Sequence, residues 1–106
     1  MGELEQMIPQ HTKYQIDEYV KNQIPPGSFV RAVLGNDLME AFMRADDINL
    51  HYMKDIVMYV YNDIPSHCWG SPGIVDLFLS LREKRIKREA EDQERILEAL
   101  KYQQEK

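Results

Sequence analysis

Two short stretches of the chain place a rigid backbone, a glycine and a serine just before a helix-forming run: Pro25-Pro26-Gly27-Ser28-Phe29 and His67-Cys68-Trp69-Gly70-Ser71-Pro72. A helix N-terminus presents unpaired N–H groups and a partial positive charge, and a preceding glycine lets a ligand approach the backbone. Each loop therefore has the chemistry to hold a phosphate or carboxylate. The same residues serve equally as ordinary helix starts with Ser28 and Ser71 as caps. Arg31, one turn beyond the first loop, and Arg44 supply positive charge for an anion, while Tyr59 and Trp69 supply rings on which a base can stack. The candidate ligand-binding set is thus Gly27, Ser28, Arg31, Arg44, Tyr59, Trp69, Gly70 and Ser71. A tryptophan in such a loop either plugs the end of a bundle or lines a pocket.

Other chemistry has less to build on. His11, His51 and His67 are scattered, and Asp47 with His51, four residues apart, is a pair of a kind that arises by chance, so no metal and no other cofactor is expected. Cys68 is the only cysteine, which excludes an intramolecular disulfide and leaves no resolving thiol; it reads as a small buried hydrophobe. Arg44 stands four residues after Glu40, the spacing of a surface ion pair. No arrangement of nucleophile, base and orienting group emerges, and the chain is expected not to be an enzyme.

The elements that must position these residues are helical. Thr12 and Gln15 have the form of a capping box, and Ile16, Tyr19, Val20 and Ile24 recur at helical spacing before Pro25-Pro26, which predicts a helix over 12–23. A second runs from Ser28 through Phe29, Ala32, Val33, Leu38, Ala41, Phe42 and Ala45, with any break at Gly35-Asn36. Asp46 or Asp47 caps a third, in which Leu50, Met53, Val57, Val60 and Tyr61 share a face before Pro65. The run Ile56-Val57-Met58-Tyr59-Val60-Tyr61 also reads as a strand, but the chain offers no partner strand with turn chemistry. Ser71-Pro72 starts a fourth helix that continues into a charged tail free of glycine and proline. The expected fold is all-α: a small bundle of about four helices with a long charged C-terminal helix, divided as an N-terminal arm (1–11), a helical core (12–81) and the tail (82–106).

Charge and length narrow the function. With 106 residues there is room for one core. The net charge is -5, and it is uneven: residues 1–70 hold 10 acids and 5 bases, the rest 8 of each. That balance argues against non-specific nucleic-acid binding, although Arg82, Lys84, Arg85, Lys87 and Arg88 form a local basic cluster; on a helix the acids that follow pair with it as a solvated face. No apolar run approaches the length of a membrane span, and the N-terminus lacks the basic start and apolar run of a signal peptide, so a soluble cytoplasmic protein is expected. In the tail, Ile86, Ala90, Ile96, Leu97 and Leu100 approximate a stripe interrupted by Gln93, a candidate surface for self-association.

The string Ile24-Pro25-Pro26-Gly27-Ser28-Phe29, Ala32-Val33-Leu34, Asn36-Asp37-Leu38, Ala41, Arg44-Ala45-Asp46, Asn49, Tyr59, Tyr61-Asn62, Pro65, Cys68-Trp69-Gly70-Ser71-Pro72 and Val75 resembles a group of short bacteriophage and prophage proteins over about residues 11–82. Members of that group end soon after the Gly-Ser-Pro helix, often with a tryptophan where this chain has Phe78 or Leu79, so the charged extension lies outside the resemblance. The resemblance implies a small accessory protein acting in the bacterial host cytoplasm, where counter-defence by binding is a frequent role. Three forms of action follow as expectations. One is sequestration of a nucleotide immune signal on the two Gly-Ser loops by a homo-oligomer; the second is direct inhibition of a host or defence protein; the third is a small DNA-binding regulator.

Overall fold

A computed structural model describes residues 8–104, and within them the fold is all-α, with six α-helices and no strand. The first helix, α1 (Gln10–Asn22), follows Pro9 and turns Thr12, Ile16 and Tyr19 inward. It stops at Gln23, whose left-handed backbone (φ 56°) lets its own N–H donate to the Tyr19 carbonyl (2.9 Å) and the Ile24 N–H to that of Glu18 (3.4 Å) before Pro25-Pro26 forbid continuation. Thr12 is therefore not the cap expected of it: the helix starts two residues earlier, and the buried Thr12 hydroxyl donates to Asn49 Oδ1 at 2.5 Å.

The second helix, α2 (Ser28–Leu34), buries five of its seven residues, as a helix apolar on nearly all sides must. Asn36, at φ 55°, reverses the chain, so the expected second helix is two: α2 and then α3 (Leu38–Arg44), where the Asp37 carboxylate accepts weakly from the Glu40 N–H. Gly35 lies where α2 meets the last helix, and a β-carbon there would come 3.5 Å from the nitrogen of Pro72 and 3.1 Å from the Arg31 carbonyl. Asp46 caps α4 (Asp47–His51) through the Asn49 N–H at 2.7 Å. A brief interruption at Tyr52 separates α4 from α5 (Met53–Asp63), which contains the strand-like run as helix. A 3₁₀ turn (Ser66–Cys68) leads to α6 (Pro72–Gln104), 33 residues long.

The core lies between α1, α2, α5 and the start of α6. Ile16, Tyr19, Leu34 and Ile56 are fully enclosed there, each buried aliphatic side chain contributing about 1.5–3 kcal/mol. Four polar ties lock the layers: Tyr19 Oη donates to the Cys68 carbonyl (2.6 Å), Gln23 Nε2 to that of Phe78 (3.1 Å), Trp69 Nε1 to that of Ile64 (3.2 Å) and the Gly70 N–H to that of Leu34 (2.8 Å). Ile8 packs into this core and Gln10 and His11 open α1 after Pro9, so the bundle takes in residues assigned to the N-terminal arm, of which 1–7 lie outside the described residues.

Only the first turns of α6 are packed. Val75 and Phe78 are buried, Leu79 and Arg82 partly so, and from Glu83 to Lys101 every residue is exposed. The radius of gyration is accordingly 18.9 Å, against about 13 Å for a compact chain of this size, with extents of 67 × 28 × 22 Å. Among the described residues, no helix is long and apolar enough to cross a membrane.

Candidate functional site

The two Gly-Ser loops are already occupied by the protein's own groups. The Gly27 N–H donates to Gln15 Oε1 at 2.8 Å, Gly27 stands at the N-cap position, and Ser28 is the first helical residue without a capping bond. Ser71 does cap its helix: its Oγ accepts from the Ile74 N–H at 3.1 Å. Gly70 needs its glycine, since its φ of 127° strains any other residue. Its N–H is spent on Leu34, and one fewer donor faces solvent.

The cations and rings are likewise engaged. Arg31 pairs with Asp76 at 2.5 Å and Arg44 with Glu40 at 3.1 Å. Tyr59 is buried, its hydroxyl donating to Asp17 Oδ1 at 2.5 Å and its ring covered by the Lys13 ammonium 5.4 Å from the centroid, so no face is open for stacking. The exposed tyrosine of α5 is Tyr61, edge-on to Trp69 at 6.1 Å. Of the eight candidate residues, Ser28, Arg31 and Arg44 share one open depression of about 220 Å³, with Asp37 and Glu40 in its lining. Gly27 lies in another beside α1, Trp69 in a third, and Tyr59 packs against α1. The set is spread over several places in the fold.

A different surface is lined mainly by apolar side chains. Between α2, α3 and α5 runs a cleft of about 110 Å³ whose apolar walls include Leu38, Phe42, Val57, Val60 and Trp69. Its rim is unusually apolar for solvent: Leu38 is 68% exposed, Phe42 49%, Val57 47% and Tyr61 69%, with Met39 and Met43 on the adjoining row of α3 more than 70% exposed. The cleft is smaller than the ~300–1,000 Å³ of small-molecule pockets, which fits side-chain anchors of another protein better than a nucleotide. Leu38, Phe42, Leu50, Val57 and Tyr61 read in the sequence as bundle-facing, yet all are exposed. The signal that marks the surface is in α3 itself: Leu38, Met39, Ala41, Phe42 and Met43 are five apolar residues of seven, more than one face can bury, and Ala41 alone goes inside.

Nucleophilic chemistry finds no support in the same region. Burial pushes the Cys68 thiol above its ordinary range, so at neutral pH it is a protonated, enclosed side chain. Burial does the same to the Tyr19 phenol, helped by the neighbouring Cys68. Among the described residues no three His, Cys, Asp or Glu side chains gather to hold a metal ion. Compared with protein-family models, curated proteins and solved structures, the chain matches none.

Proposed function

We propose that the protein is a non-catalytic binding protein of phage type that acts in the bacterial cytoplasm by docking a host or defence protein on the α3–α5 cleft. The observation that carries this reading is the contiguous exposure of Leu38, Phe42, Val57 and Tyr61 around Trp69. Monomers rarely leave apolar area of this kind uncovered, and aromatic and methionine side chains are those that anchor protein interfaces. Residues 37–63, which carry the cleft's outer wall, hold six acids against two Lys or Arg, so the fitting partner presents an apolar anchor ringed by basic residues.

A second reading, sequestration of a nucleotide signal, draws on the depression that unites Ser28, Arg31 and Arg44. An anion there must displace Asp76 and Glu40 from the two arginines. One experiment separates the readings. With the photo-crosslinker p-benzoylphenylalanine in place of Phe42 in bacteria carrying active defences, irradiation is expected to give a protein adduct of discrete mass, absent when the probe replaces Tyr14 on the opposite helix. No adduct at Phe42, together with a heat-released nucleotide that disappears in Arg31→Ala, establishes sequestration instead.

A further inference from the structure

Beyond the bundle, α6 carries a second unpartnered stripe whose order specifies what covers it. Leu79, Glu83, Ile86, Ala90, Gln93, Leu97 and Leu100 recur at alternating spacings of four and three, a heptad seam, and Ile86, Leu97 and Leu100 are about half exposed or more. We propose that this seam binds a second copy of the chain in antiparallel orientation, with Ile86 against the partner's Leu97 and Ala90 against the partner's Gln93. This goes beyond the docking role of the cleft and does not depend on it.

Charge selects the orientation. In a parallel pair the residues flanking the seam bring Arg82 to the partner's Lys87 and Glu89 to the partner's Glu94, both repulsive. In the antiparallel register, Lys87 faces the partner's Glu94 twice, by symmetry, and both contacts attract. Sliding by one heptad either way sets Lys87 against the partner's Lys87, or Lys87 against the partner's Lys101 and Glu94 against the partner's Glu94. Of these three registers, only the first escapes repulsion. It also sets the polar Gln93 opposite small Ala90, leaving its amide a route to water, whereas a parallel pair stacks Gln93 on itself.

Length points the same way. In this register Gln104 falls opposite Leu79, the last seam residue still packed against the bundle, so the overlap uses the exposed tail and ends where the core begins. That overlap is about 33 Å of helix beyond Arg82 at 1.5 Å per residue. The two bundles then sit at opposite ends of a paired rod, each with its own cleft open, a geometry for bivalent engagement of one target.

Sedimentation equilibrium of the full chain tests this, with far-UV circular dichroism to verify that each variant is folded. The parent is expected to form a dimer. Lys87→Glu is expected to weaken it about tenfold by turning two attractions into repulsions, and Lys87→Glu with Glu94→Lys to restore it. In a parallel pair Lys87→Glu strengthens the dimer instead, by facing the partner's Arg82, and Leu100→Cys then oxidises readily to a disulfide dimer. Either of those results, or a parent that stays monomeric at high concentration, overturns the proposal.

Discussion

Along α6, the residues up to Leu81 and those from Glu83 onward share one backbone helix but not one source of stability. In the first part Val75 and Phe78 are buried, and the helix exists because its face completes the core. In the second, every residue from Glu83 to Lys101 is exposed, and helix rests on propensity and on charge pairs at (i, i+4) such as Glu83 with Lys87 and Arg88 with Asp92, each worth about 0.2–0.5 kcal/mol in isolation. The contrast teaches that a continuous secondary-structure element is no guide to a continuous energetic unit. The bundle is held by its own interior, whereas the tail from Glu83 to Lys101 packs against no such interior.

The sharpest way to break that contrast is to remove equal side chains from the two parts. Leu34→Ala, in the enclosed core, is expected to cost about 2–5 kcal/mol in urea unfolding, and Leu97→Ala less than about 0.5 kcal/mol at protein concentrations where the chain is monomeric. Equal losses would make tail and bundle one unit. Next in size is Tyr19→Phe, which leaves the Cys68 carbonyl without its donor and is expected to cost about 1–3 kcal/mol.

That variant also sharpens a pH dependence. Tyr19 and Cys68 are both held neutral in the fold, with pKa values raised above the unfolded ones. Their contribution is fully present below the unfolded pKa and is lost as pH rises through it, so stability is expected to fall above about pH 9. In Tyr19→Phe that alkaline decline should be shallower, which thermal melts between pH 7 and 11 would show. Ser71→Ala comes third: losing the cap on Ile74 should cost about 0.5–2 kcal/mol and leave the tail's helicity unchanged. Smallest is Arg31→Ala, whose ion pair with Asp76 is exposed and worth at most about 1 kcal/mol.

Much of the fold was legible because its punctuation is local. Pro25-Pro26, Asp46, Pro65 and Ser71-Pro72 stop or start helices through backbone and side-chain chemistry that needs no distant partner, and the observed boundaries follow them. Thr12 went astray because the same hydroxyl that caps a helix also bonds a half-buried amide 37 residues away, and sequence spacing does not show Asn49 arriving. The break at Asn36 was marked, but its depth was not: a left-handed residue there turns one helix into two and puts α3 on the outside.

The functional surface was less legible for a related reason. Helical periodicity tells which residues share a face and not whether another element covers it, so Phe42 and Val57 read as core although about half of each is exposed. Conversely, Arg31 looked like a free cation, because the carboxylate of Asp76 lies 45 residues away and meets it only in the folded chain, whereas the Arg44 partner, Glu40, was legible at a spacing of four. Tyr61 read as part of the packed face and Tyr59 as a ring for stacking; the structure reverses them, with the Tyr59 hydroxyl held inside by Asp17 and Tyr61 exposed.

The central claim, that the bundle is sustained by its own core and the tail by a second copy, is tested most directly by amide hydrogen exchange of the full chain over a series of protein concentrations. The expected result is that amides of α1, α2 and α5 are protected alike throughout, while those of residues 83–104 exchange fast when dilute and slow as concentration rises. Tail amides that are protected independently of concentration, or exchange fast at every concentration, would contradict it.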